Sequence, residues 1–425
     1  MKVFDTSILL LKKNIKSHLT YSLSLLFSIV VCFIFINFSD NPVLIQSDRA
    51  RGILDPEGFN LPLSKGLPFV IIVFSWWMIL YASQYYFNQR NNEYSLLMMS
   101  GMNLFSLMKY SLIQIGMILI IVIPLSFIIG SGALFIFNKM IYDYLHINHS
   151  IFDIPISTYI TTIYALFMLV LVIIVVLIGS LHTSSILSLK HIMKNDYRIK
   201  KASKWSIIFV LVYLNCLINF FMIDGDWIYF EINSIVGMLG AFGILKKCIP
   251  SLLTYLKKTL KGKNSYIILS HLSLSLTSTA SLVFLMTIQV TGIIPILALQ
   301  DPFSNEYVTG IISYIFIVIL LLVSIIYKLN IELDNKDYEY AILEKIGYTK
   351  KQLKYLMYQE NNIYYTMILL IPMPYLLSIS YQYIQMYHIS IMLLNLLLLF
   401  YIIIIFISLM ITNQSYKKIF WRKPS

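Results

Sequence analysis

The chain has 425 residues, 58% of them hydrophobic and only 12% charged, with a mean hydropathy of +0.77. Soluble domains carry about 25% charged residues, so this composition excludes an ordinary soluble enzyme or binding module and indicates an integral membrane protein. The net charge of +12 would suit nucleic acid only on the basic face of a soluble domain; no nucleic-acid partner is expected.

A hydrocarbon core about 30 Å thick takes roughly 20 helical residues to cross. Ten apolar runs meet that length, near 19–37, 67–86, 110–130, 158–180, 206–223, 227–245, 278–297, 310–327, 363–384 and 390–411. The first follows Lys12, Lys13 and Lys16. It is too long for the apolar region of a signal peptide and lacks a small-residue cleavage site, so it reads as a retained anchor. The fifth and sixth runs read as a hairpin around Asp224-Gly225-Asp226. Cys32, Cys216 and Cys248 lie in or beside apolar runs without metal-like spacing, and no disulfide framework is implied.

Orientation follows from lysine and arginine, which concentrate on cytoplasmic segments. With the N-terminus inside, 28 of the 32 basic residues fall on inner segments; only Arg49, Arg51, Lys65 and Lys139 fall outside. Both termini are therefore expected in the cytoplasm, and the excess charge reads as a topology signal. The outer segments 38–66, 131–157 and 298–309 are too small for an independent domain.

Two inner segments carry the same charged module. Arg90-Asn-Asn-Glu-Tyr leads to Gly101, and Lys336-Asp-Tyr-Glu-Tyr leads to Gly347. Glu93 and Glu339, Tyr94 and Tyr340, Leu97 and Leu343, Gly101 and Gly347, and Leu107 and Leu353 are all separated by 246 residues. Arg90 and Lys336 keep the charge at that spacing. Glu339, Leu343 and Ile346 recur at i, i+4 and i+7 on one helical face, and Lys336 is placed to pair with Glu339. Each glycine stands where a helix ends through positive φ. Thr349 with Gln352 has capping-box spacing, and Asn103 is the N-cap of the first copy. Each module is thus expected to form a bent helical pair at the inner surface, near 88–108 and 334–356.

These residues carry a family resemblance. The segments Tyr81–Tyr94, Gly101-Met102 and Glu332–Gly347, with Gln359 and the Pro372/Pro374 pair, resemble the FtsX-type permease subunits of ABC transporters, in particular the bacitracin-export branch. The resemblance implies an all-α integral membrane fold of about ten helices in a 4+2+4 arrangement with two parallel repeats. The halves would be residues 1–180 and 264–425, joined by 181–263 with the connector hairpin. It further implies that the modules are coupling helices resting on a cytoplasmic ATPase dimer, through Arg90, Glu93, Gly101, Lys336, Glu339 and Gly347. ATP and Mg would bind the partner, not this chain. A multi-pass protein of the bacterial cell membrane, in contact with lipid, is implied. Its role would be export or removal of an antimicrobial peptide or lipid-linked substrate, with a histidine kinase as a further partner. Members of that branch carry a large extracellular domain between spans seven and eight, where this chain has a short turn.

Other candidates are weaker. Glu231 is the carboxylate placed well inside a span, a candidate intramembrane polar site, although its position near Trp227 also suits the outer interface. His146 and His149 lack further ligands, so no metal site is expected. Asn215 and Asn219, one turn apart, are suited to holding helices together. The chain lacks a G-x-x-x-x-G-K-[ST] phosphate loop and the H-E-x-x-H and G-x-S-x-G motifs, so it is not expected to be an enzyme. Two alternatives stay open: a secondary transporter, which nearly charge-free spans disfavour, and a regulatory subunit that transports nothing.

Overall fold

The structure is a computed structural model. It describes residues 15–50, 63–191, 206–222, 227–259, 264–273, 275–277, 305–387 and 390–420. It is 91% helical, with no strand among the described residues. Among the described residues, seven helices are long and apolar enough to cross a membrane, as in an all-α membrane-spanning chain. The expected spans at 67–86 and 206–223 appear as the shorter apolar stretches Ile71–Gln84 and Ser206–Phe220. The expected span at 278–297 lies outside the described residues.

In chain order the helices are α1 (Ile15–Asp40), α2 (Pro42–Ala50), α3 (Leu63–Gln89), α4 (Asn91–Met99), α5 (Leu104–Tyr144) and α6 (Ile156–His191). Then come α7 (Ser206–Met222), α8 (Trp227–Gly243) and, across a π-helical turn at Ile244–Cys248, α9 (Ile249–Thr259). The remainder are α10 (264–273), α11 (Asn305–Lys345), α12 (Lys350–Leu370), α13 (Met373–Tyr387) and α14 (Ile391–Phe420). Two compact units result, one of residues 1–196 with 300–316, the other of 197–299 with 317–425.

In the first unit, α1 packs against α3, α5 and α6. Its Tyr21, Leu25, Ile29, Phe33 and Phe35 are buried. Phe33 meets Phe127 edge-on at 5.2 Å, and Tyr21 stacks on Tyr86 at 4.3 Å. Polar pairs tie the far end of α1: Asn37 donates to Thr158 at 3.3 Å and Asn41 to Tyr142 at 3.0 Å. By contrast Ile120, Ile121 and Ile128 of α5 and Ile160 and Val175 of α6 are exposed. Water would not tolerate so continuous an aliphatic face, and lipid does.

Two helices overrun the expected spans. At 41 residues each, α5 and α11 reach about 60 Å, twice the hydrocarbon thickness. The sequence places an outer segment from 131; instead α5 continues to Tyr144 before turning at His146, whose φ is +51°. Likewise α11 runs without a break from Asn305 into the second module.

In the second unit, α7 and α8 form a close pair. A side chain at Gly240 would meet the Tyr213 backbone at 3.0 Å, tighter than ordinary contact, so glycine suits the close approach. Among the described residues, Asn233 supplies a polar contact within the pair, donating to the Cys216 carbonyl at 3.0 Å. The pair packs on the helices after it: Tyr213 donates to the Ile371 carbonyl at 2.7 Å, where Pro372 and Pro374 separate α12 from α13. Gln382 of α13 donates to the Phe220 carbonyl. The hairpin of the expected connector thus falls within this unit, while residues 181–196 fall within the first. Between α12 and α14, Tyr365 meets Ser408 at 2.8 Å and Thr412 at 2.7 Å, and Asn361 donates to Asn413 at 3.0 Å.

Candidate functional site: two matched turns

The repeated modules fold into the same turn. After α4, Met102 N–H bonds the Leu97 carbonyl at 3.0 Å and Gly101 N–H bonds Met98 at 2.9 Å. After α11, Tyr348 N–H bonds Leu343 at 3.1 Å and Gly347 N–H bonds Glu344 at 3.0 Å. This is a Schellman closure in both cases. The glycines carry φ of +93° and +108°, a region that side chains disfavour. The next helices start from extended N-cap residues, Asn103 (φ −70°, ψ 152°) and Thr349 (φ −76°, ψ 151°). Thr349 and Gln352 complete the capping box. Asn103 holds the N-cap backbone position, but its side chain makes no cap bond.

The anchors beneath the turns differ. In the first, Arg90 is 2% exposed. Its guanidinium donates to the Tyr86 hydroxyl at 3.0 Å and to the Gln114 side-chain oxygen, and pairs with Glu93 at 2.9 Å. Gln114 in turn donates to the Tyr110 hydroxyl at 2.7 Å, and His18 Nδ1 lies 2.8 Å from the Tyr86 hydroxyl. Burial opposes the charge on Arg90, but Tyr86, Tyr94 and Glu93 around it outweigh that and raise its pKa further. It is a permanent cation, turned inward.

In the second turn the anchor is a histidine. His271 of α10 places Nε2 3.1 Å from Glu339 and Nδ1 3.3 Å from Glu360, and the Tyr340 hydroxyl donates to the same Glu360 oxygen at 3.4 Å. An apolar cluster of Ile268, Tyr340, Leu353, Leu356, Met357 and Tyr416 packs beside it, with Leu343 and Tyr348 at its edge.

Of the residues singled out in the sequence, Gly101 and Gly347 make the turns, and Arg90 and Glu93 join each other. Glu339 joins His271. The side chains of Lys336 and Glu231 lie outside the described residues, as does the expected Lys336–Glu339 pair; their backbones belong to α11 and α8. His149 approaches Asp153 at 3.9 Å, and no group of metal ligands forms among the described residues. Sequence reasoning missed Gln114, Glu360, His18 and His271. Two signals could have found them. Gln114 and Glu360 share the 246-residue spacing, and Ser17-His18-Leu19 recurs as Ser270-His271-Leu272.

Both turns leave large apolar side chains outward, beside polar Ser100 and Asn103 in the first and charged residues in the second. Leu96, Met99 and Phe105 are exposed at the first; Ile342 and Ile346 are exposed at the second, beside exposed Glu344, Lys345, Lys350 and Lys351. Leu96 and Ile342 are again 246 apart. At the opposite end of α5 an apolar recess is lined by Phe137, Met140 and Tyr144 with Tyr307 and Ile311. Comparison with protein-family models and with curated proteins finds no match to this chain.

Proposed function

We propose that this chain is the membrane-spanning permease subunit of an ABC transporter, coupling ATP hydrolysis by a separate cytoplasmic ATPase to export or removal of an antimicrobial peptide or lipid-linked substrate. The observation that carries the reading is the pair of matched turns, which share hydrogen bonds, positive-φ glycines and N-cap backbone geometry at one spacing of 246 residues. A turn kept twice, anchored inward by a buried polar network and bearing apolar knobs outward, is suited to pushing or being pushed as a rigid body. The lysine and arginine distribution supports a cytoplasmic position for both turns. The apolar recess at the far end of α5 is suited to hydrocarbon, in keeping with a lipid-linked substrate.

The test is co-purification from detergent extract. The tagged chain is expected to bring down a cytoplasmic ATPase in a ratio of one permease to two ATPase copies, while hydrolysing no ATP alone. Recovery of the chain with no ATPase would remove the reading in favour of a secondary transporter. An ATPase whose activity ignores every transported peptide, with a kinase in the complex, would favour a regulatory subunit.

A further inference from the structure

The two anchors use the same positions and different charges. In the first turn a guanidinium sits between Glu93 and the neutral amide of Gln114. In the second, the equivalents of those two residues are Glu339 and Glu360, and the group between them is an imidazole brought in from α10. Both ring nitrogens of His271 face carboxylate oxygens, and the Glu360 oxygen already accepts from Tyr340. An ionised carboxylate only accepts hydrogen bonds, and a neutral imidazole has one N–H and one lone pair. A neutral ring therefore sets a lone pair against one of two like-charged carboxylates, in a place where Glu360 is nearly buried. With the proton, each nitrogen donates to its own carboxylate.

We propose that His271 is a positioning residue that holds the second turn through its imidazolium, making attachment of the Glu339–Gly347 segment proton-dependent while the Arg90 anchor of the first turn is not. Low pH keeps the clamp whole. As pH rises and the ring loses its proton, one of its two bonds to the carboxylates is lost, and the positive charge between the two acids goes with it. Among the described residues, the titratable groups on elements packed around α10 include Tyr340 of α11, Tyr416 of α14, and Lys257 of α9, whose ammonium lies over the Tyr266 ring at 5.5 Å. Tyr340 bonds the Glu360 oxygen that His271 also faces, while Glu344 and Lys345 of α11 and Lys354 of α12 are exposed. That the clamp tunes coupling rests on the proposed ATPase docking; its proton dependence does not.

Hydrogen exchange on the full chain in lipid nanodiscs, without any ATPase, tests this. The amides of 340–347 are compared with those of 94–101 at each pH, so the intrinsic pH dependence of exchange cancels and the Arg90-anchored turn is the internal reference. From about pH 6 to about pH 9, which brackets histidine titration beside carboxylates, relative protection of 340–347 is expected to fall about tenfold. His271→Arg should make the ratio flat. Glu360→Gln, which gives the second anchor the neutral amide of the first, should move the transition to lower pH. A flat ratio in the unsubstituted chain, a fall that persists in His271→Arg, or a transition unmoved by Glu360→Gln would each overturn the proposal. Because no ATPase is present, failure here and failure of the docking reading are separate results.

Discussion

Glu339 ends 3.1 Å from Nε2 of His271, so the carboxylate most suggestive of a contact with a partner is already engaged inside its own chain. Glu93 is engaged in the same way, by Arg90 at 2.9 Å. Charge reversal at either glutamate would act first on the anchor of the turn. A clean probe of docking has to come from the side chains that point outward.

Ile346 is that probe. It is 70% exposed, and Met99 on the other turn is 66% exposed. Substituting either by Glu should leave the thermal midpoint of the purified chain nearly unchanged, because exposed positions typically shift stability by only about 0.5 kcal/mol. Central apolar residues of an interface are worth about 2 kcal/mol or more. ATPase recovery in pull-downs should therefore fall by more than tenfold in Ile346→Glu. Undiminished recovery in the double variant Met99→Glu/Ile346→Glu would show that these turns are not where the ATPase binds.

At the glycines the expected cost is purely conformational. A side chain added at Gly101 or Gly347 meets no atom within 4 Å, yet the positive φ penalises any β-carbon by about 1–2 kcal/mol. Gly101→Ala and Gly347→Ala should each lose that much stability, and the Asn variants less, since asparagine enters the left-handed region more readily. Thermal unfolding in detergent, followed by tyrosine and tryptophan fluorescence, gives the comparison. Equal stability of Ala and Asn variants would contradict the assigned φ.

The caps should separate although their backbones agree. Thr349→Ala breaks a reciprocal capping box and should cost about 1 kcal/mol. Asn103→Ala removes a side chain that makes no cap bond and should cost only a few tenths by the same measure. The reverse order of destabilisation would mean that Asn103 caps α5 after all.

Arg90 is expected to be the most sensitive residue of the first anchor. Removing it by Arg90→Met leaves Glu93 and Gln114 without their cation, and breaking a buried pair from one side costs about 3–5 kcal/mol. Glu93 is part-exposed and can recover water, which places the effect at the low end. Arg90→Lys should restore little, because one ammonium cannot span the forked set of Tyr86, Gln114 and Glu93. The readout is the amount of folded protein in size-exclusion chromatography together with its thermal midpoint. Full rescue by lysine would show that charge alone, rather than the guanidinium fork, holds the turn.

The sequence by itself determined the class and the turns. Twenty-residue apolar runs with few charges have no stable alternative to membrane-spanning helices, because each backbone N–H and C=O must bond within its own segment. The repeat, the positive-φ glycines and the Thr349 capping box are local chemistry, settled by residues within a few positions of one another. Only the tertiary structure decided how far the helices run, since a helix that leaves the hydrocarbon ends where its packing ends; α5 thus continues to Tyr144. It also decided what Arg90 and Glu339 do. Their partners Gln114 and His271 stand 24 and 68 residues away in the chain. A charged side chain reads as outward-facing until a distant helix supplies the counter-charge that makes burial tolerable. In Arg90 that helix is α5, carrying Gln114; in Glu339 it is α10, carrying His271.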